Sequence, residues 1–330
     1  MGPMKLRTSV EQWPLAEPFR ITGYTFEHVD VLLVTLESEG CEGRGEAAGV
    51  YYKHDTPAVM IQQVEGVRST IEDGTSRQIL QNLLPAGGAR NAVDCALWDL
   101  QSKLSGQQAW EIAGLGGMNP VLTTFTCGAA EPAKMASDAR AYREARAIKL
   151  KLTGEPVDAE RVLAVRSARP DVWLSVDGNQ GFTTRTLETL LPVLTEARVA
   201  LIEQPFPIGE DGWLDSLKSP IPIAADESVQ SHEDLAGLVN RFQAVNIKLD
   251  KCGGLTEALR MARTAAALGL EPMVGNMIGT SLAMAPALVV GQLCKVVDLD
   301  GPIFLKSDRD HPVSYVDGYA SYEGSLWGSP

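Results

Sequence analysis

The chain has 330 residues, 45% of them hydrophobic, enough to bury a large core in one big domain or in a barrel with a smaller domain. Its formal net charge of −13 disfavours nucleic acid as a partner, because polyanion-binding proteins need basic surface stripes. The start lacks a basic segment followed by an apolar run, and the apolar stretch 281–293 is too short to span a bilayer, which predicts a cytoplasmic protein without a membrane partner.

The first third of the chain combines strand-like and helical patterns. The strand-like segments, rich in β-branched apolar residues, are residues 5–10 and 29–37. The segments with apolar residues at helical spacing are residues 57–71 and 89–104. Gly40, Gly43 and Gly45 are expected at turns. The pattern predicts a small α+β domain over residues 1–120.

From residue 121 onward, short apolar runs alternate with amphipathic helical stretches. The predicted strands are residues 122–127, 147–152, 172–176, 199–202, 221–224, 244–247, 271–274 and 296–299. The predicted helices include residues 159–167, 186–194, 233–239 and 255–268. This βα repeat predicts an α/β TIM barrel over residues 121–304, with residues 305–330 packing back on the first domain. An open doubly wound sheet is the alternative, but no Gly-rich phosphate-binding turn opens the series.

Polar residues stand at the ends of several of these apolar runs. They are Lys149, Lys151, Asp177, Glu203, Asp226, Lys248, Asp298 and Asp300. From Lys151 to Lys248 the successive intervals are 22 to 26 residues, about one βα unit each. Because barrel enzymes carry their active sites at the carboxyl ends of the strands, these side chains are predicted to converge there.

The three acidic residues in this series predict a metal site. Asp177, Glu203 and Asp226 would offer carboxylate oxygens from three neighbouring strands, the hard ligands that Mg²⁺ prefers. Any one of them alone could equally be a helix cap or a solvated charge. Three carboxylates crowded together repel one another, so the cluster needs a cation.

The lysines predict acid/base chemistry. Lys149 and Lys151 are two residues apart in a strand and therefore share one face, which is the barrel interior if the pair is functional. Burial and a neighbouring ammonium both favour the neutral amine, which is a usable base. Lys248 would reach the centre from the opposite wall, so one lysine could remove a carbon-bound proton while the other delivers one to the opposite face. Surface lysines at strand ends are the alternative.

Several segments resemble the enolase superfamily and, more narrowly, its muconate-lactonizing-enzyme subgroup. They are residues 84–100 (LPAGGARNAVDCALWDL), 147–152 (AIKLKL), 175–179 (SVDGN), 201–205 (LIEQP), 224–228 (AADES) and 245–254 (VNIKLDKCGG). The resemblance spans essentially the whole chain. It implies a capping domain over a modified (β/α)₇β barrel and a homo-oligomer. The mandelate-racemase branch, which has a histidine base after the seventh strand, is disfavoured because residues 273–280 contain no histidine.

The resemblance also implies roles for the residues at the strand ends. Lys151 and Lys248 would be the opposed acid/base pair, and Lys149 would tune the charge and touch the substrate carboxylate. The implied Mg²⁺ ligands are Asp177, Glu203 and Asp226. Asn179 and Asp250 are expected to support the site from behind these residues.

Residues 297–302 (VDLDGP) resemble the Asp-x-Asp motif of dipeptide epimerases. Asp298 and Asp300 are expected to share one strand face and to hold the free ammonium of a dipeptide, a pairing that anionic substrates could not use. The alternative is a strand that simply ends on an Asp-Gly-Pro turn.

The pocket for the substrate side chain is less defined by the sequence. The resemblance implies an arginine near residues 20–28 in epimerases that act on Ala-Glu, and Phe26 stands there in this chain, with Arg20 nearby. A hydrophobic or mixed dipeptide and Ala-Glu both stay open. Thr126, Met277 and Ile278 are further pocket candidates, with ordinary barrel packing as the alternative.

The leading hypothesis is epimerisation of a small-molecule dipeptide at its carboxyl-terminal residue. Within the subgroup, the rivals are racemisation of an N-acyl amino acid and o-succinylbenzoate synthesis, against which Asp298 and Asp300 argue. A Schiff-base aldolase with Lys248 as its covalent lysine is the alternative from another enzyme class. A non-enzymatic metal-binding scaffold would leave the opposed lysines without a role.

Overall fold

The computed structural model describes residues 2–330 and begins with an antiparallel three-stranded sheet. Its strands are β1 Lys5–Ile21, β2 Tyr24–Ser38 and β3 Cys41–Ala47. The first strand is longer than predicted, because Pro14 and Pro18 lie on an edge strand, where a missing backbone donor is tolerated. The pairing of β1 with β2 shifts register between Pro14 and Phe19.

Helices complete this first domain. They are α1 Pro57–Gly66, α2 Arg68–Glu72, α3 Arg77–Leu83, α4 Gly88–Ser105 and α5 Ala109–Ile112. The helix predicted over residues 57–71 is divided in two, because Val67 leaves the helical conformation with φ −122° and ψ 10°. Gly43 and Gly45 lie inside β3 and not at turns as predicted. A Cβ atom at either residue would stand 2.3 Å or less from a backbone oxygen of α4, so glycine allows the close packing of β3 on α4.

An eight-stranded parallel sheet forms the second, larger part of the molecule. Its strands, which follow the short β4 Val121–Leu122, are β5 Thr124–Cys127, β6 Ala147–Lys151, β7 Trp173–Asp177, β8 Val199–Glu203, β9 Ile223–Ala225, β10 Ala244–Lys248, β11 Glu271–Gly275 and β12 Val296–Val297. They are hydrogen-bonded in chain order from β5 to β12. A parallel bridge between Thr123 and Val297 brings the two ends of the sheet together. The predicted barrel with a capping domain is therefore confirmed, and the open doubly wound alternative is wrong.

Helices follow most of the barrel strands. They are α6 Pro132–Ala141, α7 Asp158–Ala168, α8 Thr184–Glu196, α9 Leu235–Leu238, α10 Leu249–Cys252, α11 Leu255–Ala267 and α12 Ser281–Gly291. The helix predicted over residues 233–239 is only the single turn α9. The Asp234 carboxylate accepts hydrogen bonds from the backbone amides of Gln230 and Ser231, which holds the preceding segment in a turn. No helix within residues 2–330 combines the length and the apolar character needed to cross a membrane.

The carboxyl-terminal segment contacts both parts of the molecule. Its hairpin, β13 Ser314–Val316 and β14 Tyr319–Ser321, pairs with β4 at the foot of the barrel. Farther on, the indole nitrogen of the buried Trp327 donates hydrogen bonds to the backbone oxygens of Arg44 and Cys95, both at 3.1 Å. The last residues therefore pack against β3 and α4.

Two buried side chains tie the capping domain to the turn that follows β10. From α4, the Arg90 guanidinium donates to the backbone oxygens of Cys252 at 2.5 Å and Gly253 at 3.3 Å. In the opposite direction, the Asp250 carboxylate accepts from the backbone amide of Gly49 at 2.8 Å. Because β10 ends at Lys248, these bonds hold the capping domain directly against one wall of the barrel mouth.

We expect Arg90→Met to lower the free energy of unfolding by about 2–4 kcal/mol, because it leaves several buried carbonyl oxygens without a donor. Urea denaturation followed by circular dichroism measures the change. The control is Arg7→Met, which removes half-exposed ion pairs to Glu37 and Glu42 and should cost less than about 1 kcal/mol. Equal losses for the two variants would show that the Arg90 bonds do not hold the domains together.

Candidate active site

The predicted polar residues converge at the carboxyl end of the barrel. Lys149 and Lys151 lie on β6, and Asp177, Glu203 and Lys248 are the last residues of β7, β8 and β10. Asp226 follows the last residue of β9. All six side chains are buried. The regular spacing in the sequence thus corresponds to one position, the top of the strand, repeated around the barrel.

Three of these residues form a carboxylate cluster. Asp177, Glu203 and Asp226 each offer one oxygen, and the three oxygens lie within 4.8 Å of one another. Buried carboxylates at this separation repel unless cations lie among them. The geometry and the hard oxygen donors fit a divalent metal ion. These three residues would hold the ion.

Lys149 is the most enclosed of the three lysines. Its side chain is 1% exposed, and its Nζ atom lies 3.1 Å from Asp177 Oδ2, 2.7 Å from Glu203 Oε2 and 2.8 Å from Asp298 Oδ2. Burial lowers the pKa of the Lys149 ammonium, but the carboxylates outweigh burial and hold the pKa well above its usual range. Burial alone therefore does not decide the charge of this amine, because the carboxylates oppose its effect.

Lys151 and Lys248 face each other across the barrel. They lie on β6 and β10, four strands apart in a sheet of eight, and therefore on opposite walls. Lys151 Nζ donates to Asp177 Oδ2 at 2.6 Å, and Lys248 Nζ donates to Asp226 Oδ2 at 2.7 Å. Both line one cavity of about 110 Å³. A small molecule in this cavity would have one amine nitrogen on each side.

The pKa values of the three clustered carboxylates are shifted in different directions. Burial, reinforced by Asp177, raises the pKa of Glu203 to about 7. For Asp177, burial acts in the same direction, but Lys151 and Lys149 outweigh it and lower the pKa to about 2. The pKa of Asp226 is also lowered, because Lys248 and Lys251 outweigh burial. The cluster is thus partly compensated by lysines, and Glu203 is the least compensated member.

Sequence reasoning missed two residues that hold the carboxylates in place. Lys251 is buried; its Nζ donates to Asp226 Oδ1 at 2.5 Å, to the backbone oxygen of Asp226, and to that of Asn246 at 3.0 Å. The Asn246 side chain donates to Glu203 Oε1 at 2.7 Å. The signal was available for Asn246, which is two residues before Lys248 and so faces the same side of β10. Lys251 lies in the following helical turn, where strand alternation gives no guidance.

The two residues predicted to support the site differ in position. The backbone amide of Asn179 donates to Asp177 Oδ1 at 2.9 Å, and its side chain lines the cavity with the two lysines. Asp250 contacts none of the clustered carboxylates, since it accepts from Gly49 of the capping domain. Burial raises the pKa of Asp250 to about 7. Asp250 therefore positions the capping domain and not a metal ligand.

Asp298 and Asp300 lie beyond β12, the last strand of the barrel. We predicted that they share a strand face, but β12 ends at Val297 and Asp300 begins a short 3₁₀ helix at Gly301–Phe304. Asp298 binds Lys149 at 2.8 Å through Oδ2 and accepts a short hydrogen bond from the Thr124 hydroxyl through Oδ1. Asp300 Oδ2 accepts from the backbone amide of Thr126 at 2.6 Å. The two carboxylates are close to the site, but they have different partners.

The two aspartates also differ in charge. Burial raises the pKa of Asp298, but the Lys149 ammonium outweighs burial and brings the pKa below its usual value. For Asp300, burial and the neighbouring Asp298 together raise the pKa to about 7. Asp298 is thus compensated by a lysine, whereas Asp300 lacks an equivalent cation among residues 2–330.

The residues predicted to contact the substrate side chain are divided between two cavities. Phe26, Met277 and Ile278 line the cavity that contains Lys151 and Lys248. Arg20 and Thr126 line a separate cavity of about 280 Å³, between the β1–β2 hairpin and α6. Arg20 is exposed and lies between Phe19 and Ile21, which face the first cavity, so strand alternation places Arg20 on the other face. Arg20 therefore does not replace an arginine at position 26.

Comparisons with known proteins agree with this architecture. Residues 4–114 match the N-terminal domain of the mandelate racemase / muconate lactonizing enzyme family, and residues 133–323 match the family described as enolase C-terminal domain-like. The chain is 38% identical over 310 residues to the L-Ala-D/L-Glu epimerase of Escherichia coli K12, covering 93% of this chain and 96% of that protein. It is 42% identical over 250 residues to an N-acetyl-D-glutamate racemase of Pseudoalteromonas, covering 76% and 79%.

Solved structures of related proteins have the same fold. An enolase family member from Agrobacterium tumefaciens, described as homologous to dipeptide epimerases and containing sodium and L-Ala-L-Glu, matches with a TM-score of 0.96 and 40% identity over 99% of this chain and 100% of that one. The dipeptide epimerase of Methylococcus capsulatus, in complex with Mg and L-Arg-D-Lys, matches with a TM-score of 0.91 and 29% identity over 98% of each chain.

The capped barrel with acidic residues and lysines at its strand ends defines a class of metal-assisted enzymes. The chain belongs to the enolase superfamily, within the mandelate racemase / muconate lactonizing enzyme family. The resemblance predicted from the sequence is confirmed.

We expect Lys251→Met to weaken divalent metal binding by roughly 10- to 100-fold, because the Asp226 carboxylate loses the partner that fixes its Oδ1 atom. Titration calorimetry with Mn²⁺ measures the affinity directly. The exposed Lys218 provides the control as Lys218→Met. Unchanged affinity in a folded Lys251→Met protein would contradict a role for Lys251 in holding Asp226.

Proposed function

We propose that the chain is a dipeptide epimerase that inverts the α-carbon of the carboxyl-terminal residue by a two-base 1,1-proton transfer. The observation that carries the proposal is the placement of Lys151 and Lys248 on opposite walls of one cavity, beside three clustered carboxylates. Inversion requires a base on one face of the carbon and an acid on the other, and the two lysines meet that requirement. The identity to the E. coli epimerase supports the same reaction class.

We propose Mg²⁺ as the metal, held by Asp177, Glu203 and Asp226. When bound, it would supply the positive charge that stabilises the anion formed as the α-proton leaves. The three oxygen donors suit this hard cation, and the M. capsulatus dipeptide epimerase was solved with Mg.

The proton transfers belong to the chain's own side chains. The amine of one lysine takes the α-proton and becomes an ammonium, while the ammonium of the other lysine gives a proton to the opposite face. One C–H bond breaks and another forms, so the product differs from the substrate only in configuration. Lys151 and Lys248 exchange these roles in the reverse direction.

We propose that Asp300 contacts the free ammonium of the substrate. Asp300 is buried, lies beside the barrel mouth and has no lysine partner within residues 2–330, so an arriving cation would compensate its charge. The contacts of Asp298 favour a different role: its two oxygens accept from Lys149 and Thr124, and we propose that it stabilises the Lys149 ammonium, while direct contact of Asp298 with the substrate stays a prediction.

A second candidate, racemisation of an N-acyl amino acid, is favoured by one observation: the 42% identity to an N-acetyl-D-glutamate racemase. Such a substrate has no ammonium for Asp300. The two candidates therefore differ in whether the α-amino group of the first residue must be free.

Three predictions from the sequence stay predictions. They are the domain limits at residues 120 and 304 with a tail over 305–330, assembly as a homo-oligomer, and a cytoplasmic location.

We expect Lys151→Ala and Lys248→Ala each to abolish epimerisation, with a loss of at least roughly a hundredfold, because each variant lacks the acid or the base on one face. Proton NMR in D₂O, with a mixed dipeptide library and Mg²⁺, follows deuterium entering the α-position of the second residue. Each variant should still exchange one stereoisomer without inverting it, through the lysine that remains.

The control for this pair is Lys218→Ala, an exposed lysine outside the barrel mouth. Substantial inversion by either active-site variant would overturn the two-base mechanism. Exchange of N-acetyl amino acids with none in free dipeptides would favour the second candidate.

We expect removal of divalent metal by EDTA to abolish exchange and added Mg²⁺ to restore it, because three clustered carboxylates would repel the substrate carboxylate unless a cation lies among them. The same samples treated with borohydride test for a Schiff base on Lys248. Full activity without metal, or a covalent substrate adduct after borohydride, would exclude the proposed chemistry.

A further inference from the structure

The cavity between the catalytic lysines has a largely apolar wall. Ile21, Phe26 and Val29 contribute from β1 and β2, and Met277 and Ile278 contribute from the loop after β11. The capping domain and the barrel therefore enclose the cavity together. Any substrate held between the two lysines must place its side chain against this wall.

Aromatic packing fixes the position of Phe26 in the wall. Phe26 is paired with Phe19 across the two strands, and both line the cavity. The ring of Tyr51 meets the Phe26 ring edge-on, with centroids 5.5 Å apart. Tyr24 packs in turn on Tyr51 with centroids 4.4 Å apart. The wall is thus a supported aromatic surface and not a single mobile ring.

The cavity has no cation to spare for an acidic side chain. Within residues 2–330, the cations that line it are Lys151 and Lys248, and each already binds a carboxylate, at 2.6 Å and 2.7 Å. Arg20 borders the other cavity. The two amide side chains of the lining, Asn179 and Asn276, are neutral and already donate to Glu227 and to the backbone oxygen of Asp298. A substrate glutamate would therefore bring an ionised carboxylate against this largely apolar wall without a cationic partner, which is strongly unfavourable.

Size restricts the side chain further. The cavity measures about 110 Å³, and an apolar cavity of about 150 Å³ is large enough to bind benzene. From the lining, the charges and the volume together, we infer that the residue inverted by this enzyme carries an aliphatic side chain such as leucine or methionine. This inference rests on the proposed dipeptide epimerase function and names its substrate class.

The test compares four dipeptides with the same first residue: L-Ala-L-Met, L-Ala-L-Leu, L-Ala-L-Gln and L-Ala-L-Glu. Methionine, glutamine and glutamate have similar lengths, so their comparison separates charge and polarity from shape. Deuterium exchange at the second α-carbon, followed by proton NMR, gives kcat/KM. The methionine and leucine dipeptides should exceed the glutamate dipeptide by at least roughly tenfold. A kcat/KM for L-Ala-L-Glu equal to or above that for L-Ala-L-Met overturns the inference.

A variant tests the origin of the preference. Phe26→Arg places a cation in the wall and should shift the Glu-to-Met ratio of kcat/KM toward glutamate by at least roughly tenfold. The matched control is Thr25→Arg, which adds the same charge on the exposed, opposite face of β2 and should leave the ratio unchanged. An unchanged ratio in folded Phe26→Arg would contradict the role of Phe26. If that variant does not fold, the wild-type series decides alone.

The outcomes also separate this inference from the proposed function. If dipeptides exchange and the glutamate dipeptide has the highest kcat/KM, the proposed epimerase function is supported and the inferred aliphatic pocket is overturned. Exchange in N-acetyl amino acids alone overturns the dipeptide substrate, and N-acetylmethionine against N-acetylglutamate then tests the pocket in the same way. No exchange in either series rejects both.

Discussion

The structure depends on one buried ammonium. Lys149 lies within 3.1 Å of carboxylate oxygens from β7, β8 and the turn after β12, far from water. Charges in a protein interior are tolerated only when their partners are well placed, and removing one partner leaves the others uncompensated. The registers of β6, β7 and β8 must therefore bring these side chains together at the ends of the strands. The neighbouring pairs, Lys151 with Asp177 and Lys248 with Asp226, extend the same constraint around the barrel.

The capping domain and the barrel contribute different surfaces to the cavity. The barrel provides the charges, whereas β1, β2 and the turn at Tyr51 provide most of the apolar surface around the reacting carbon. A low-polarity wall beside fixed charges strengthens the interactions of a substrate with those charges. Close packing of β3 on α4, permitted by Gly43 and Gly45, anchors the other end of β2, which pairs with β3 over residues 32–38. The charged groups thus come from the barrel, whereas the apolar lining comes from the capping domain together with Met277 and Ile278 of the barrel.

Much of this arrangement could be predicted from the sequence, because a barrel repeats one position at each strand end. The convergence of Lys151, Asp177, Glu203, Asp226 and Lys248 follows from their spacing alone. The errors occurred where local pattern is insufficient. Prolines concealed the full length of β1, and with it the outward orientation of Arg20. Asp298 and Asp300 lie past the end of β12, so their partners were set by tertiary contacts that no alternation rule describes.

The bonds that Arg90 and Asp250 make between the capping domain and the turn after β10 also bear on how the cavity opens. Both are buried, and they join the capping domain to the residues that directly follow Lys248. Separating the two domains as rigid bodies would break these hydrogen bonds and leave buried charges without partners. The β1–β2 hairpin is also bonded to the barrel, since the Thr22 hydroxyl donates to the backbone oxygen of Leu152 at 3.0 Å and the backbone amide of Ala129 donates to that of Arg20 at 2.9 Å. The capping domain is therefore held to the barrel on two sides of the cavity, by the hairpin and by the turn after β10, and separating the domains would break both sets of bonds.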